Sequence, residues 1–243
     1  VVHYTVSNGS TSAVTGDVSV TQLGAITPDP PRTRDDVVVV RSGDSILIPV
    51  LSNDSTESGA PLRLASNVVE SPNAGQLTIS DPGAREGEAG TDLGTAYVSG
   101  DSVRYVAPAK VETDRILRIE YVAETYDGDQ TTGSAYVTIK PQPSEKVPNQ
   151  APLPQTLEAR LSAGDRITIP VPSSGQDPDG DTVSVIGVGS APVLGRIKGS
   201  SPTGLTYEAY PNSAGTDQFS YVVSDRFGKT GTAVVRVSVV PAG

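Results

Sequence analysis

The sequence predicts an all-β protein built of tandem β-sandwiches, and three observations predict it. Glycine and proline, 25 and 20 of the 243 residues, break the chain into short segments. Between them lie runs rich in Val, Ile, Thr and Tyr in which apolar and polar residues alternate, as in half-buried strands, while helical periodicity is weak throughout. The third observation is internal repetition, the strongest of the three.

Three segments end alike: Val1–Gln22, Ile119–Pro141 and Phe219–Pro241. Each has a strand centred on tyrosine, a glycine turn, then a strand of alternating valines. Val2, Tyr4 and Val6 share a face, as do Ile119, Tyr121 and Ala123, and Phe219, Tyr221 and Val223; these faces are expected to point into the cores. The starts of two repeats also match. Val37–Ser66 and Gln155–Gly187 each carry a strand, a Gly-Asp turn (Ser42–Asp44 and Ala163–Asp165) and then Ile-x-Ile-Pro-Val. The middles match more loosely, Ala74–Leu77 with Leu194–Ile197 and Ser102–Pro108 with Gly204–Pro211. Val111–Val122, the one stretch that tempts a helix assignment, reads better as a long strand through Ile116, Leu117, Ile119, Tyr121 and Val122.

The chain therefore divides into the last strands of a truncated repeat (1–27), a complete repeat (28–143) and a second complete repeat (149–243). The connection Pro141–Pro154 is rich in proline, so a stiff extended linker and an elongated particle are expected. Two strands alone are marginal in water. The apolar face of 1–27 thus calls for a cover, from a neighbouring repeat of this or another chain, unless the truncation is simply an arbitrary boundary. The strand pattern already under way at Val1 favours a piece of a longer protein.

Composition narrows the function. A formal net charge of −10 and a pI near 4.5 oppose nucleic acid or an anionic membrane as partner. No apolar run is long enough to insert into a bilayer. With no Cys there is no disulfide, no Cys-held zinc and no thiol nucleophile. With no Met, no Trp and 2 Phe, the cores fall to Val, Ile, Leu, Ala and Tyr.

The order of motifs is a proline-rich lead, a Gly-Asp turn, Ile-x-Ile-Pro-Val, then Ser-Asn-Asp or Asp-Pro-Asp-Gly-Asp. Later come Phe-Ser-Tyr-x-Val-x-Asp-x-x-Gly and alternating valines. This resembles the bacterial immunoglobulin-like and cadherin-like tandem repeats of large surface and adhesin proteins. The likeness runs over nearly the whole chain and is best over Gln176–Thr182 and Phe219–Gly228; the middle repeat keeps Asn53-Asp54 but loses the acidic run. It implies Greek-key immunoglobulin-like sandwiches of about seven strands in an elongated array, an extracellular place on the bacterial surface, adhesive or spacer roles, and no catalysis.

The sharpest candidate site is Asp177-Pro178-Asp179-Gly180-Asp181. Carboxylates at alternate positions of a turn converge on a hard cation, which makes Asp177, Asp179 and Asp181 candidate calcium ligands, with Asp217 and Asp225 as further donors if the fold brings them near. The glycine comes too early for an EF-hand, and Asp-Gly is equally the chemistry of a turn. Asn53 and Asp54 form a weaker candidate. No cofactor is required by any motif.

For catalysis the sequence offers one histidine, His3, on the solvent face of a strand. Lys140 and Lys198, near strands, are candidates for an internal isopeptide crosslink. Asn8 and Asn53 open glycosylation sequons that also fit turns, and Leu153–Leu157 imitates a sortase signal without its glycine. The polar insert Asp81–Gly94 and the turn aromatics Tyr126, Tyr210 and Phe227 are where a protein or glycan would be recognised. Three functions remain: a structural spacer, a binding module for a surface protein or glycan, and an accessory domain of a secreted enzyme.

Overall fold

In a computed structural model the described residues are 2–6, 14–18, 27–65, 76–84 and 92–242. All regular structure among them is β: β1 (Val2–Val6), β2 (Val14–Val18), β3 (Asp36–Arg41), β4 (Ser45–Ile48), β5 (Leu62–Leu64), β6 (Thr78–Ser80), β7 (Thr95–Ser99), β8 (Ser102–Val106), β9 (Arg115–Thr125) and β10 (Gln130–Lys140). The last repeat follows with β11 (Leu157–Ser162), β12 (Arg166–Pro170), β13 (Ser184–Ser190), β14 (Gly195–Ser201), β15 (Gly204–Ala209), β16 (Gly215–Ser224) and β17 (Thr230–Val240). No helix among these residues is long and apolar enough to cross a membrane.

The chain forms immunoglobulin-like sandwiches. In the last repeat a four-stranded sheet, β11-β17-β16-β13, faces a three-stranded sheet, β12-β15-β14. In the middle repeat β3-β10-β9-β5, with β6 also on β9, faces β4-β8-β7. Period-two alternation sets the layers. Leu117, Ile119, Tyr121 and Ala123 of β9 point inward, as do Phe219, Tyr221 and Val223 of β16, and all are buried. The two apolar cores share no residue: one gathers side chains from Val40 to Ile139, the other from Leu161 to Val239. In both repeats the first strand lies parallel to the last, β3 on β10 and β11 on β17.

Tyrosine supplies the bulk that the missing tryptophan would have given. Tyr207 stacks on Phe219 with ring centroids 5.9 Å apart. Each buried hydroxyl finds an acceptor, Tyr105 on the Leu93 carbonyl at 2.8 Å and Tyr207 on Asp217 at 2.8 Å. A small residue faces the hairpin tyrosine in every repeat: Gly16 opposite Tyr4, Gly133 opposite Tyr121 and Ala233 opposite Tyr221. A Cβ on Gly133 would come within 2.2 Å of the Tyr121 ring.

Three expectations change. First, the middle match is displaced. Leu194–Ile197 corresponds to Leu93–Ala96, not Ala74–Leu77: Ile197 pairs with Tyr207 and Ala96 with Tyr105. Gly195 and Gly94 both press on the next strand, where a Cβ would lie 2.5 Å from the Glu208 carbonyl and 2.2 Å from the Val106 carbonyl. A Gly-x-apolar tripeptide is too short to specify which strand it opens, and β6 is an additional strand laid along β9. Second, the linker is not simply extended. Ser144 and Val147 exchange backbone hydrogen bonds of 2.9 and 3.2 Å, making a turn between the prolines. Third, β1 and β2 pair only with each other, and Tyr4, Val6, Val14 and Val18 remain exposed, so no described part of the adjacent repeat covers that face.

Candidate functional site at the joint between the repeats

The sandwiches meet end to end. β3 and β10 both finish at the far end of the middle repeat, with Arg41 closing β3. The Asp177–Asp181 loop and the β16–β17 turn occupy the near end of the last repeat. Turn chemistry shapes that loop. Asp177 accepts the Asp179 amide at 2.8 Å and the Asp181 amide at 3.4 Å on one carboxylate oxygen, and Gly180 adopts φ +78°.

The three carboxylates converge as spacing predicts: one oxygen of each lies within 4.8 Å of the others, and all three residues are buried. Between them sits a cation that local sequence does not reveal. Arg41 is fully buried; its Nη2 donates to Asp181 at 2.6 Å and to the Asn149 side-chain oxygen at 3.0 Å, and forms an ion pair with Asp179 at 3.0 Å. Its Nε lies 3.1 Å from Asp181 Oδ2, and Nη1 donates to the Pro141 carbonyl at 2.8 Å. Burial works against the charge, but Asp181 and then Asp179 outweigh it and hold the Arg41 pKa above its usual value.

Surrounding groups complete the joint. The Arg41 amide donates to the Gly180 carbonyl at 3.2 Å. Asp44 accepts the Thr182 hydroxyl at 3.2 Å, and Arg226 Nε reaches Asp181 Oδ1 at 3.1 Å. The linker is drawn in too. Gln150 donates its amide and its side chain to Asp179 at 2.7 and 2.9 Å, and Asn149 donates to Asp225 at 2.6 Å. Burial raises the Asp179 pKa, but Gln150 and Arg41 bring it below the ordinary carboxylate value. Asp177 moves the other way: burial pushes it up against the two loop amides, and its Oδ2 has no hydrogen-bond partner among the described residues.

Of the further donors, Asp225 joins the cluster through Asn149 but also caps its own turn, accepting the Phe227 and Lys229 amides at 2.8 and 2.9 Å. Asp217 lies at the opposite end of β16, where it accepts the Val193 and Leu194 amides. Calcium takes six to eight oxygens. Here the oxygens of Asp179 and Asp181 are engaged by Arg41, Arg226 and Gln150, which leaves Asp177 Oδ2 alone free. With Arg41 in place, these residues do not fit a calcium ion.

Asn53 and Asp54 lie elsewhere, in a polar cluster within the middle repeat. Asp54 accepts the Arg34 amide at 2.8 Å and the Tyr121 hydroxyl at 2.9 Å. Asp36, which spacing did not single out, joins them; its Oδ2 and the Asn53 Oδ1 are buried without a partner among the described residues. Burial, then the charge of Asp54, pushes Asp36 up to about 6. Between the ordinary value of 3.8 and about 6, the folded protein keeps a proton that the unfolded chain releases. Stability contributed by this group therefore falls as pH rises through that window. Asp36→Asn is expected to raise the melting temperature by a few degrees at about pH 8 and to change it little near pH 3.5. Melts at the two pH values check this.

The other candidates separate. His3 pairs with Asp17 on the exposed face of the β1–β2 hairpin, with no nucleophile beside it among the described residues. Lys140 pairs with Asp114 and Lys198 lies 3.7 Å from Glu208, each pair partly open to solvent and outside the apolar cores, where an isopeptide bond has no dry environment to form in. Tyr126, Tyr210 and Phe227 sit at three different strand ends. Arg226 lies over the Phe227 ring at 5.0 Å within the joint, and Arg63 over Tyr126 at 5.1 Å. The Asn8 sequon and residues 85–91 of the Asp81–Gly94 insert lie outside the described residues.

A tandem of immunoglobulin-like sandwiches with a buried ionic joint is the class this fold defines. Residues 149–238 match the family model described as a bacterial Ig domain, so the resemblance read from the motifs is shown for the last repeat. No curated protein matches the sequence. Among solved structures, an endo-fucoidan hydrolase of glycoside hydrolase family 107 is 15% identical over 100% of this chain and 34% of its own, with a TM-score of 0.36. A Bacteroides ovatus glucan-utilization protein, SGBP-B, in complex with a mixed-linkage heptasaccharide is 16% identical over 95% of this chain and 50% of its own, at 0.35. Human mucin-like protocadherin EC1-2 is 14% identical over 88% of this chain and 100% of its own, at 0.26. The chain spans 34% of the first of these and half of the second.

Proposed function

We propose that the chain is a non-catalytic spacer, a run of immunoglobulin-like repeats that holds another part of a bacterial surface protein away from the cell in an adhesion-related role. The observation that carries this reading is the joint. Arg41, Asp179, Asp181, Asn149 and Gln150 fix one sandwich on the next through buried, charge-assisted hydrogen bonds, and such bonds are the directional ones. Interfaces between domains ordinarily permit relative motion. An arrangement that suppresses it suits a part whose work is to keep a distance. The acidic surface and the bacterial Ig match over 149–238 are consistent with an extracellular setting. Partners on this reading are the flanking repeats, with no nucleic acid and no insertion into a bilayer.

Among the described residues the binding-module reading lacks an aromatic platform, since Tyr126, Tyr210 and Phe227 lie apart and Phe227 is engaged at the joint. Small-angle scattering is the test. An elongated particle with a narrow spread of end-to-end distances is expected; a near-spherical particle, or a broad distribution from freely jointed repeats, would overturn the proposal.

A further inference from the structure

We infer that the acidic loop of the last repeat is a receptor for an arginine of the repeat before it, and that Arg41 stands where the loop's carboxylates suggest a divalent ion. The inference concerns the chemistry of the joint and holds whether or not the chain serves as a spacer.

Two sets of equivalent positions carry it. Gly59 and Gly180 have φ of +77° and +78°, and each donates its amide three residues back, to Thr56 and to Asp177. Gly128 and Gly228 do the same toward Thr125 and Asp225. The carboxylates Asp177, Asp179, Asp181 and Asp225 of the last repeat thus become Thr56, Ser58, Ala60 and Thr125 in the middle repeat. All four acids are lost together, as expected if they form one device. The loop geometry survives without them, so the turn does not require them.

On the donor side, Asp44 bonds back to the Arg41 carbonyl at 3.0 Å and Asp165 to the Ser162 carbonyl at 3.1 Å, while Ala107 and Ala209 bond to Asp44 and Asp165. Ser162 therefore occupies the place of Arg41. The middle repeat offers a guanidinium but lacks these four carboxylates, its own loop end carrying Asp29, Glu57, Asp127 and Asp129 at other positions; the last repeat has the four carboxylates and Ser162 in place of the guanidinium. The joint is directional. The surface formed by Asp177, Asp179 and Asp181 fits a repeat whose Gly-Asp turn follows an arginine, and the last repeat cannot serve as such a partner for a second copy of itself.

The cation count also argues for arginine. A guanidinium satisfies two carboxylates at once with fixed geometry, and Arg41 spends its remaining donors on Pro141 and Asn149 of the linker. A bare ion would neutralise the loop without grasping the preceding repeat in this way.

The test uses the full chain with calcium at about 5 mM, above the range of extracellular calcium modules, against a chelator. The wild type is expected to melt at the same temperature in both. Arg41→Gln empties the receptor while leaving both cores intact, and should acquire a calcium-dependent rise of about 5 °C in the transition of the last repeat. Adding Asp179→Asn to Arg41→Gln should abolish the rise. Calorimetric titration of calcium into the same variants provides a readout independent of melting. A calcium response in the wild type, with Arg41 present, would overturn the inference. So would Arg41→Gln folded on both transitions but binding no calcium.

Discussion

Asp181→Asn is expected to cost about 3 kcal/mol in urea unfolding, at the lower end of the range for removing one partner from a buried ion pair. The variant keeps the shape of the loop and removes one charge. Arg41 stays fully buried with Asp179 as its one remaining carboxylate, Asn149 and Pro141 being neutral acceptors, and Arg226 loses the same counter-charge. The cost comes mainly from a guanidinium stranded out of water rather than from the worth of one hydrogen bond. The double variant Arg41→Met, Asp181→Asn should recover part of the loss, because it removes the guanidinium together with its nearest carboxylate and leaves Asp179 to its two Gln150 donors. A loss under about 0.5 kcal/mol in the single variant, the size typical of an exposed pair, would mean that water reaches the joint.

Gly180→Ala attacks the same joint through shape alone. A Cβ there would lie 2.5 Å from the Val40 nitrogen and 2.6 Å from the Val39 carbonyl carbon, which are backbone atoms of the paired strand β3 and cannot swing aside. The left-handed conformation at φ +78° adds about 1–2 kcal/mol of strain for any residue with a Cβ. The expected result is a molecule with both cores intact and the joint open. In NMR relaxation the correlation time of each repeat should fall by roughly half as the repeats begin to tumble separately. A single long correlation time, unchanged from the wild type, would show that the joint tolerates the methyl. Together the two variants separate the charge that holds the joint from the close approach that lets it form.

Much of the fold was legible because it is written in local periodicity. Tyr121 and Tyr221 sit in alternating strands ended by Gly-containing turns, and the one stretch that tempts a helix, Val111–Val122, alternates strongly enough to read as the strand that Arg115–Thr125 forms. The decoy at Ala74–Leu77 arose because a Gly-x-apolar tripeptide is too short to specify which strand it opens. Only the pairing of Ala96 with Tyr105 identifies the true equivalent. At the site, the convergence of Asp177, Asp179 and Asp181 was readable, since a turn imposes it over five residues. The occupant was not. Arg41 ends a strand that looks ordinary in sequence, lies 140 residues before Asp181, and becomes significant only when one sandwich is set on the next. One signal was available: Arg41 and Ser162 differ at an otherwise matching Gly-Asp turn, and a charged residue closing a valine strand asks for a counter-charge. Asp36 escaped for the same reason, because its neighbours Asn53 and Asp54 come to it across the sandwich.

The parallel pairing of β3 on β10 and β11 on β17 has a mechanical consequence. The chain enters each repeat on one of these strands and leaves on the other, and because they run the same way, entry and exit lie at opposite ends of the ladder. Tension along the protein therefore pulls the two strands past each other lengthwise and loads the whole register in shear, Leu157–Val235 through Ser162–Val240 in the last repeat, so the bonds must yield together. Were the pair antiparallel, the same tension would unzip it one bond at a time.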